Sequence, residues 1–255
     1  MEDLTKMNAV RNRHHLLTEE SKPEFIRRGF GDIAGDYDLM NDLITFRLHR
    51  RWKRLVVRWL GLSAGDRVLD LCTGTGDLAY LCCSGTPAEH VVGLDFSPEM
   101  TQVARKRTGW CVPQQRDRRP CLVRADALQL PFPDGLFAAV TVGYGLRNLA
   151  DMRLAFREIE RVLRPGGRLA ILDTDRPDGG LMGALHRLYL LWCIPTMAGI
   201  IHGSGDMYRY LASSALSFPS PTELATHCAT AGLEVVRIQK FLGGASVAVL
   251  AVKAK

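Results

Sequence analysis

The stretch Val68-Leu69-Asp70-Leu71-Cys72-Thr73-Gly74-Thr75-Gly76-Asp77-Leu78-Ala79 runs from a continuous apolar segment through a glycine-rich turn into the start of a helix. A G-x-G-x-x-A turn between a buried strand and a helix brings backbone N–H groups close to a ligand. Acidic residues decide which ligand. Asp70 stands just before the turn, Asp95 ends the next strand-like run in Gly93-Leu94-Asp95-Phe96-Ser97, and Asp126 ends a third in Arg124-Ala125-Asp126-Ala127. An acid about twenty residues past the turn suits the hydroxyls of a ribose. A carboxylate at the mouth of the turn repels a pyrophosphate and favours an ammonium or a sulfonium. S-adenosylmethionine carries both cations and no phosphate, so Asp70, Gly74, Gly76 and Asp95 are read as its binding residues, with Asp126 placed to approach the adenine. Each acid alone could be a solvated loop carboxylate; three at three successive strand ends favour a site.

The elements that position these groups follow from pattern. Strand-like runs at 67–72, 90–96, 121–125, 138–143 and 168–173 alternate with helical stretches near 77–84, 98–107 and 152–163, the rhythm of parallel strands with crossover helices. Ser97-Pro98 and Ser220-Pro221-Thr222-Glu223 are helix starts, the second with a capping box, and Arg164-Pro165-Gly166-Gly167 is a helix stop. Glu234–Phe241 and Ser246–Lys253 read as a final antiparallel hairpin on the sheet edge. Ahead of the sheet, 22–60 reads as helical, and 109–120 as a polar loop. The expected organisation is one domain, with 1–60 an arm and helical lid on the body at 61–255.

A chain of 255 residues, 47% hydrophobic, can bury one large core. Its seven cysteines form no C-x-x-C and no His pair has metal-ligand spacing, so no metal and no disulfide framework is expected. The first residues lack the apolar core of a secretory signal, and no apolar run is clean enough to span a membrane. A cytoplasmic protein is expected, with contact at a membrane surface left open. The net charge of +6 is unevenly spread: 47–58 holds six basic residues and no acid, beside an apolar stripe at Leu48, Trp52, Leu55, Val56, Trp59 and Leu60. Two readings stand for this stripe, docking on anionic lipid or packing on the core.

Five segments carry a resemblance: 30–54 with "YDLMND", 68–79, 93–100, 126–151 with "GLRN", and 157–173. Together they resemble the ubiquinone/menaquinone-biosynthesis C-methyltransferase family. The resemblance implies an α/β class I S-adenosylmethionine-dependent methyltransferase fold, with a seven-stranded, mostly parallel sheet whose last strand is antiparallel. It also implies cofactor contacts at Thr75, Asp95, Phe96, Asp126 and Ala127. Three features depart from the family pattern: Gly143 stands where relatives carry a serine, "LDTDRP" (172–177) replaces a glutamate and a lysine, and a C-terminal histidine is missing.

The implied reaction methylates a ring carbon of a prenylated quinol, here expected to be a demethylnaphthoquinol. A neutral quinol carbon is a poor nucleophile, and ionising the phenol, with a pKa of about 10 by analogy with tyrosine, enriches the ortho carbon. Arg147 is the candidate to stabilise the phenolate, with Asn148 orienting it and Tyr144 and Tyr37 bonding or stacking on the ring. No base is assigned, although Asp126 could act through water. The apolar stretch 181–201 is read as helices over the site lining a channel for a lipid tail, against the alternative of an ordinary core helix pair. Another lipid or natural product as substrate, and a non-catalytic nucleoside-binding protein, are the competing functions. Nucleic acid is not an expected partner, because β-strand four ends in "VGYGLRN" rather than the Pro-Pro-aromatic turn of adenine methylation. A second copy of the chain remains open as a partner.

Overall fold

The computed structural model describes residues 22–107, 119–176, 179–202 and 205–254. The first strands obey the sequence rhythm: β1 (Arg67–Leu71), α4 (Asp77–Gly85), β2 (His90–Asp95), α5 (Pro98–Lys106), β3 (Cys121–Arg124) and β4 (Phe137–Gly143). Then come α6 (Met152–Val162), β5 (Leu163–Asp173), α10 (Pro221–Thr230), β6 (Leu233–Phe241) and β7 (Ser246–Lys253). The seven strands form one sheet in the order β3-β2-β1-β4-β5-β7-β6, with β7 antiparallel to both neighbours. The hairpin therefore does not simply extend the edge. Its second strand is inserted between β5 and β6, and β6 forms the edge.

Alternation with period two splits the strand side chains between two cores. Leu69, Leu71, Val140, Val142, Leu169 and Ile171 face one side, where Phe156 and Ile159 of α6 and Leu224 of α10 cover them. On the other side the sheet presents Ala139, Ala170 and Ala248 among larger residues such as Val68, Leu172 and Leu250, and it packs against Trp52 and Trp59. Those tryptophans belong to α3 (Leu48–Trp59), and Trp52 stacks on Phe241 with ring centroids 5.0 Å apart. The apolar stripe of 48–60 is thus core, each large side chain contributing roughly 1.5–3 kcal/mol through burial. The membrane-docking reading of that stripe is overturned.

The N-terminal helical reading needs one correction: 22–60 is three helices, α1 (Lys22–Ile33), α2 (Tyr37–Ile44) and α3. The last break is forced by left-handed backbone at Phe46 and Arg47. The helix stop at 164–167 holds, since α6 ends at Val162. Strand backbone begins at once, so Pro165-Gly166-Gly167 lies inside β5 as an irregularity opposite Phe137 and Ala139. A Cβ on Gly167 would stand 2.7 Å from the Arg164 carbonyl oxygen, so only glycine fits. The stretch 181–201 becomes α7 (Gly180–Leu188), a π-helical turn (Tyr189–Cys193) and α8 (Ile194–His202), followed by α9 (Asp206–Ser217). The polar loop expected at 109–120 lies outside the described residues except for its last two.

Asp70 also departs from expectation. Its carboxylate does not face a ligand: it is buried and accepts bonds from Thr73 Oγ1 (2.6 Å), the Ala79 N–H (3.0 Å) and Thr141 Oγ1 (2.7 Å). It ties β1 to the turn, to α4 and to β4. Burial pushes its pKa up from 3.8 to about 6, although these three donors and nearby Lys53 pull the other way. A carboxyl whose folded pKa is raised stabilises the fold most below its ordinary value, and that contribution disappears as pH climbs through the folded pKa. Asp70→Asn keeps the shape and removes the titration. In urea unfolding, the advantage of wild type over this variant should shrink by about 2 kcal/mol between pH 4 and pH 6. A difference that does not change with pH would mean that Asp70 does not take up a proton on folding.

Candidate functional site

In the sheet order the chain reverses direction of winding between β1 and β4, and in open α/β sheets ligands bind at such a switch point. A cavity opens there, at the carboxyl ends of β1 to β4. Its walls include Gly74 and Thr75 of the turn, Asp95 and Phe96 after β2, Asp126 and Ala127 after β3, and Gly143, Tyr144 and Asn148 after β4. Tyr37 reaches it from α2. Ten of the thirteen residues singled out in the sequence therefore meet around one space; Asp70, Gly76 and Arg147 do not line it.

The glycines divide into two roles. Gly74 has φ +55° and nothing within 4 Å of where a Cβ would be, so its backbone is open toward the cavity. Gly76 has φ +88° and is packed from behind, a Cβ there lying 3.1 Å from the Tyr80 ring. It shapes the turn rather than contacting a ligand. Gly143 backs onto Leu78, with 2.7 Å between a Cβ and Leu78 Cδ1, so the space of the missing family serine is occupied by leucine. Asp95 fixes the loop geometry, accepting from the Gly74 N–H at 2.7 Å and the Ser97 N–H at 2.9 Å. Burial raises its pKa, with those N–H groups opposing. Each carboxylate oxygen retains a further lone pair for a hydroxyl.

The strand ends are strained. Cys72 after β1 and Tyr144 after β4 both have left-handed backbone, φ 54° and 58°, and both line the cavity. Such conformations cost of order 1–3 kcal/mol each and persist where surroundings fix them. Tyr144 is fixed by its N–H to the Leu172 carbonyl at 2.7 Å and by a hydroxyl bond with Ser246 at 3.1 Å. Burial pushes its phenol pKa well up, so it stays a neutral donor or acceptor.

Arg147 is the main displacement from expectation. Its guanidinium is ion-paired with the fully buried Asp173 and lies behind the Tyr144 ring, 5.7 Å from the centroid, rather than in the cavity wall. Burial alone would weaken its charge, but Asp173, with Tyr37 and Tyr144 nearby, raises its pKa overall and keeps it cationic. Three polar atoms around it have no hydrogen-bond partner among the described residues: Arg147 Nε, Asp173 Oδ2 and Asn148 Oδ1. Buried polar groups are normally satisfied, and Asn148 belongs to the cavity wall, so its carbonyl oxygen is an acceptor positioned for a ligand hydroxyl.

Lys53 escaped the sequence reading. It lines the cavity, buried, 2.5 Å from Asp77 Oδ2, with its ammonium 5.9 Å from the Tyr144 ring centroid. The signal was present: His49, Trp52, Lys53, Val56 and Val57 form the buried face of α3 at three- and four-residue steps, and Lys53 falls inside it. Asp77 also meets Arg107 at 2.5 Å, and Arg107 binds the Thr75 carbonyl and Asp38, both at 2.7 Å. Thr75 Oγ1 donates to Asp38 at 2.7 Å. Burial would raise the Asp77 pKa, but Lys53 and Arg107 pull it down to about 2. These contacts tie α2 and α3 to the glycine-rich turn, so the lid is part of the cavity. The set fits S-adenosylmethionine: a carboxylate for ribose, a shallow apolar slot at Phe96 and Ala127 beside Asp126 for a base, and an ammonium for an amino-acid carboxylate.

Comparison with known proteins agrees with this geometry. The model of the ubiE/COQ5 methyltransferase family matches residues 18–253. The chain is 43% identical over 206 residues to a protein named demethylmenaquinone methyltransferase from Thermus thermophilus, covering 81% of this chain and 91% of that one. It is 38% identical to a 2-phytyl-1,4-naphtoquinone methyltransferase from Synechococcus elongatus, covering 87% and 94%. In three dimensions it resembles a SAM-dependent methyltransferase from Thermotoga maritima, with a TM-score of 0.62 at 19% identity over 89% of this chain and 99% of that one. A phosphoethanolamine N-methyltransferase from Haemonchus contortus, solved with S-adenosyl-L-methionine, gives a TM-score of 0.59 at 16% identity over 80% of this chain and 53% of that one. These structures share the fold, and the sequence match over nearly the whole chain goes further: the protein belongs to the ubiE/COQ5 methyltransferase family.

Proposed function

We propose that this enzyme moves a methyl group from S-adenosylmethionine to a ring carbon of a prenylated demethylnaphthoquinol, working from the cytoplasmic side of the membrane that holds its substrate. The carrying observation is kinship over most of the chain with proteins named for demethylmenaquinone and 2-phytyl-1,4-naphtoquinone, including 33% identity over 94% of this chain to one from Staphylococcus aureus.

S-adenosylmethionine supplies an electrophilic methyl on a sulfonium. Asp95 would accept the ribose hydroxyls, Asp126 and Ala127 would bound the adenine, the Gly74 backbone would lie against the ligand, and Lys53 would face the methionyl carboxylate. The quinol ring sits between Tyr37 and Tyr144. Asn148 Oδ1 takes the hydrogen bond of the ring hydroxyl, satisfying its empty acceptor position. Arg147 acts from one layer behind: held by Asp173, it keeps a fixed positive potential where the phenolate forms and so lowers the phenol pKa. Because the reacting charges neutralise each other, a site closed by the lid favours the transfer over water. The ortho carbon must approach the methyl to roughly 3–3.5 Å in line with sulfur, which the rigid Tyr144 and the buried ion pair help to enforce. As the new carbon–carbon bond forms the sulfur–methyl bond breaks, and sulfur leaves as a neutral thioether. The proton on the methylated ring carbon departs to water as the ring regains aromaticity.

Incubation with methyl-labelled S-adenosylmethionine should put label on a reduced demethylnaphthoquinol and none on the oxidised quinone, which has no phenol to ionise. Label on an unrelated lipid with none on the quinol would move the enzyme to another substrate class. Arg147→Gln should leave cofactor affinity within about twofold and shift the alkaline rise of kcat to higher pH, since the phenol loses the cation that eases its ionisation; an unshifted profile would reduce Arg147 to a packing element. Asp95→Ala removes a charge-assisted acceptor worth about 1.5–3 kcal/mol and should weaken cofactor binding about tenfold or more by calorimetry. Unchanged affinity would take Asp95 out of the ribose site.

A further inference from the structure

The π-helical turn joins α7 and α8 into one long apolar rod. By length and composition alone Gly183–Ile201, with mean hydropathy 1.3, could cross a membrane, but it is fastened sideways to the fold. Leu190, Ile194 and Ala198 are buried against Met40 of α2 and Tyr208 of α9, and the Tyr189 hydroxyl donates to the Ile44 carbonyl at 2.9 Å. The opposite face is bare. Leu185, Leu188 and Trp192 recur at steps of three and four, with 50%, 53% and 46% of their surface exposed. Helix α2, joined to the rod by the Tyr189–Ile44 bond, also exposes Leu39 and Leu43, with Phe46 at 76% exposure just beyond its end. Monomeric proteins rarely show so many large apolar side chains side by side.

Charge identifies the occupant. Residues 179–202 contain Arg187 and no aspartate or glutamate. Next to Phe46 begins a row of exposed arginines on α3, Arg47, Arg51, Arg54 and Arg58, at the spacing of one helix face. The acids on α2 are already engaged, Asp38 by Thr75 and Arg107 and Asp42 by Arg50. Arg47 also reaches Asp42 at 3.8 Å, while Arg51, Arg54 and Arg58 stay exposed. An apolar ridge bearing tryptophan and phenylalanine and flanked by this row of cations matches an anionic bilayer surface better than a second copy of itself. The layer beneath the ridge includes Phe30 and Tyr37, which also line the cavity.

We propose that the α7–α8 rod and the end of α2 lie in the headgroup region of an anionic membrane, with the arginine row of α3 on the lipid phosphates, and that the substrate ring passes under this ridge into the cavity. The ring's passage rests on the quinol reading; the docking itself does not. The exposed flank of α3 thus keeps a membrane role, although its apolar stripe is core.

The test is co-sedimentation of the purified protein with vesicles of phosphatidylglycerol and phosphatidylcholine that contain no quinone. Wild type should bind, and binding should fall at least tenfold for Leu185→Ser/Leu188→Ser/Trp192→Ser, and fall with added salt and for Arg47→Glu/Arg51→Glu. Methylation of a short-tailed, water-soluble demethylnaphthoquinol should survive in both variants, which also reports that they fold. Absence of vesicle binding by wild type, binding indifferent to the ridge substitutions, or a ridge variant that only converts a dimer to a monomer by light scattering would overturn the docking. Failure to methylate any quinol, with ridge-dependent vesicle binding intact, would instead count against the substrate and leave the surface assigned.

Discussion

The buried carboxylate of Asp77, held between Lys53 and Arg107, is the constraint on which the site depends. Taking these charges out of water is expensive, and the arrangement is stable only while all partners remain together. Removing the lid from the turn would take Lys53 from Asp77 and Asp38 from Arg107, leaving a single buried pair where four charges now balance. The N-terminal helices are therefore not an appendage to the methyltransferase body: α3 supplies the Lys53 ammonium, α2 supplies Asp38, and the turn supplies Thr75 and Asp77. His49 belongs to the same layer. It accepts or donates at 2.6 Å with Thr45, and burial holds its pKa down to about 4 despite nearby Asp77 and Asp42, so it is neutral and adds no further charge there. A closed, charge-balanced roof suits a reaction in which a cation and an anion cancel.

What could be read from the sequence divides along physical lines. Strands β1, β2 and β4 were legible because buried parallel strands are short apolar runs, β3 at the sheet edge because it keeps the alternating rhythm, and the acids at their ends because a carboxylate there is conspicuous. That Asp95 and Asp126 share one cavity follows from topology that the alternating rhythm already implied. Asp70 misled for a definite reason: its three donors include Thr141, 71 residues away, and no local pattern shows that a carboxylate will be saturated by a distant hydroxyl. Arg147 is similar, since its withdrawal from the cavity depends on Asp173, 26 residues on, in the very stretch that departs from the family pattern. Lys53 was concealed differently. Read by charge it belonged with five arginines; read by helical step it belonged with the tryptophans, and periodicity was the better guide.

The same two strands carry the strain and the bond that contains it. β1 and β4 are neighbours at the switch point, and each ends in a residue with left-handed backbone, Cys72 and Tyr144. Just below those ends the Asp70 carboxylate accepts from Thr141, joining the two strands through side chains in addition to their backbone ladder. Close packing completes the clamp, because a Cβ on Gly145 would lie 2.5 Å from Cys72 Cβ, leaving the two turns no room to separate by a side chain. The strained turns are what direct Tyr144 and Asn148 into the cavity; relaxed, extended backbone would carry both chains on past it. A buried carboxylate that never touches the ligand thus fixes where the ligand's partners stand, and its cost in desolvation is met by three hydrogen bonds from the elements it has to hold in place.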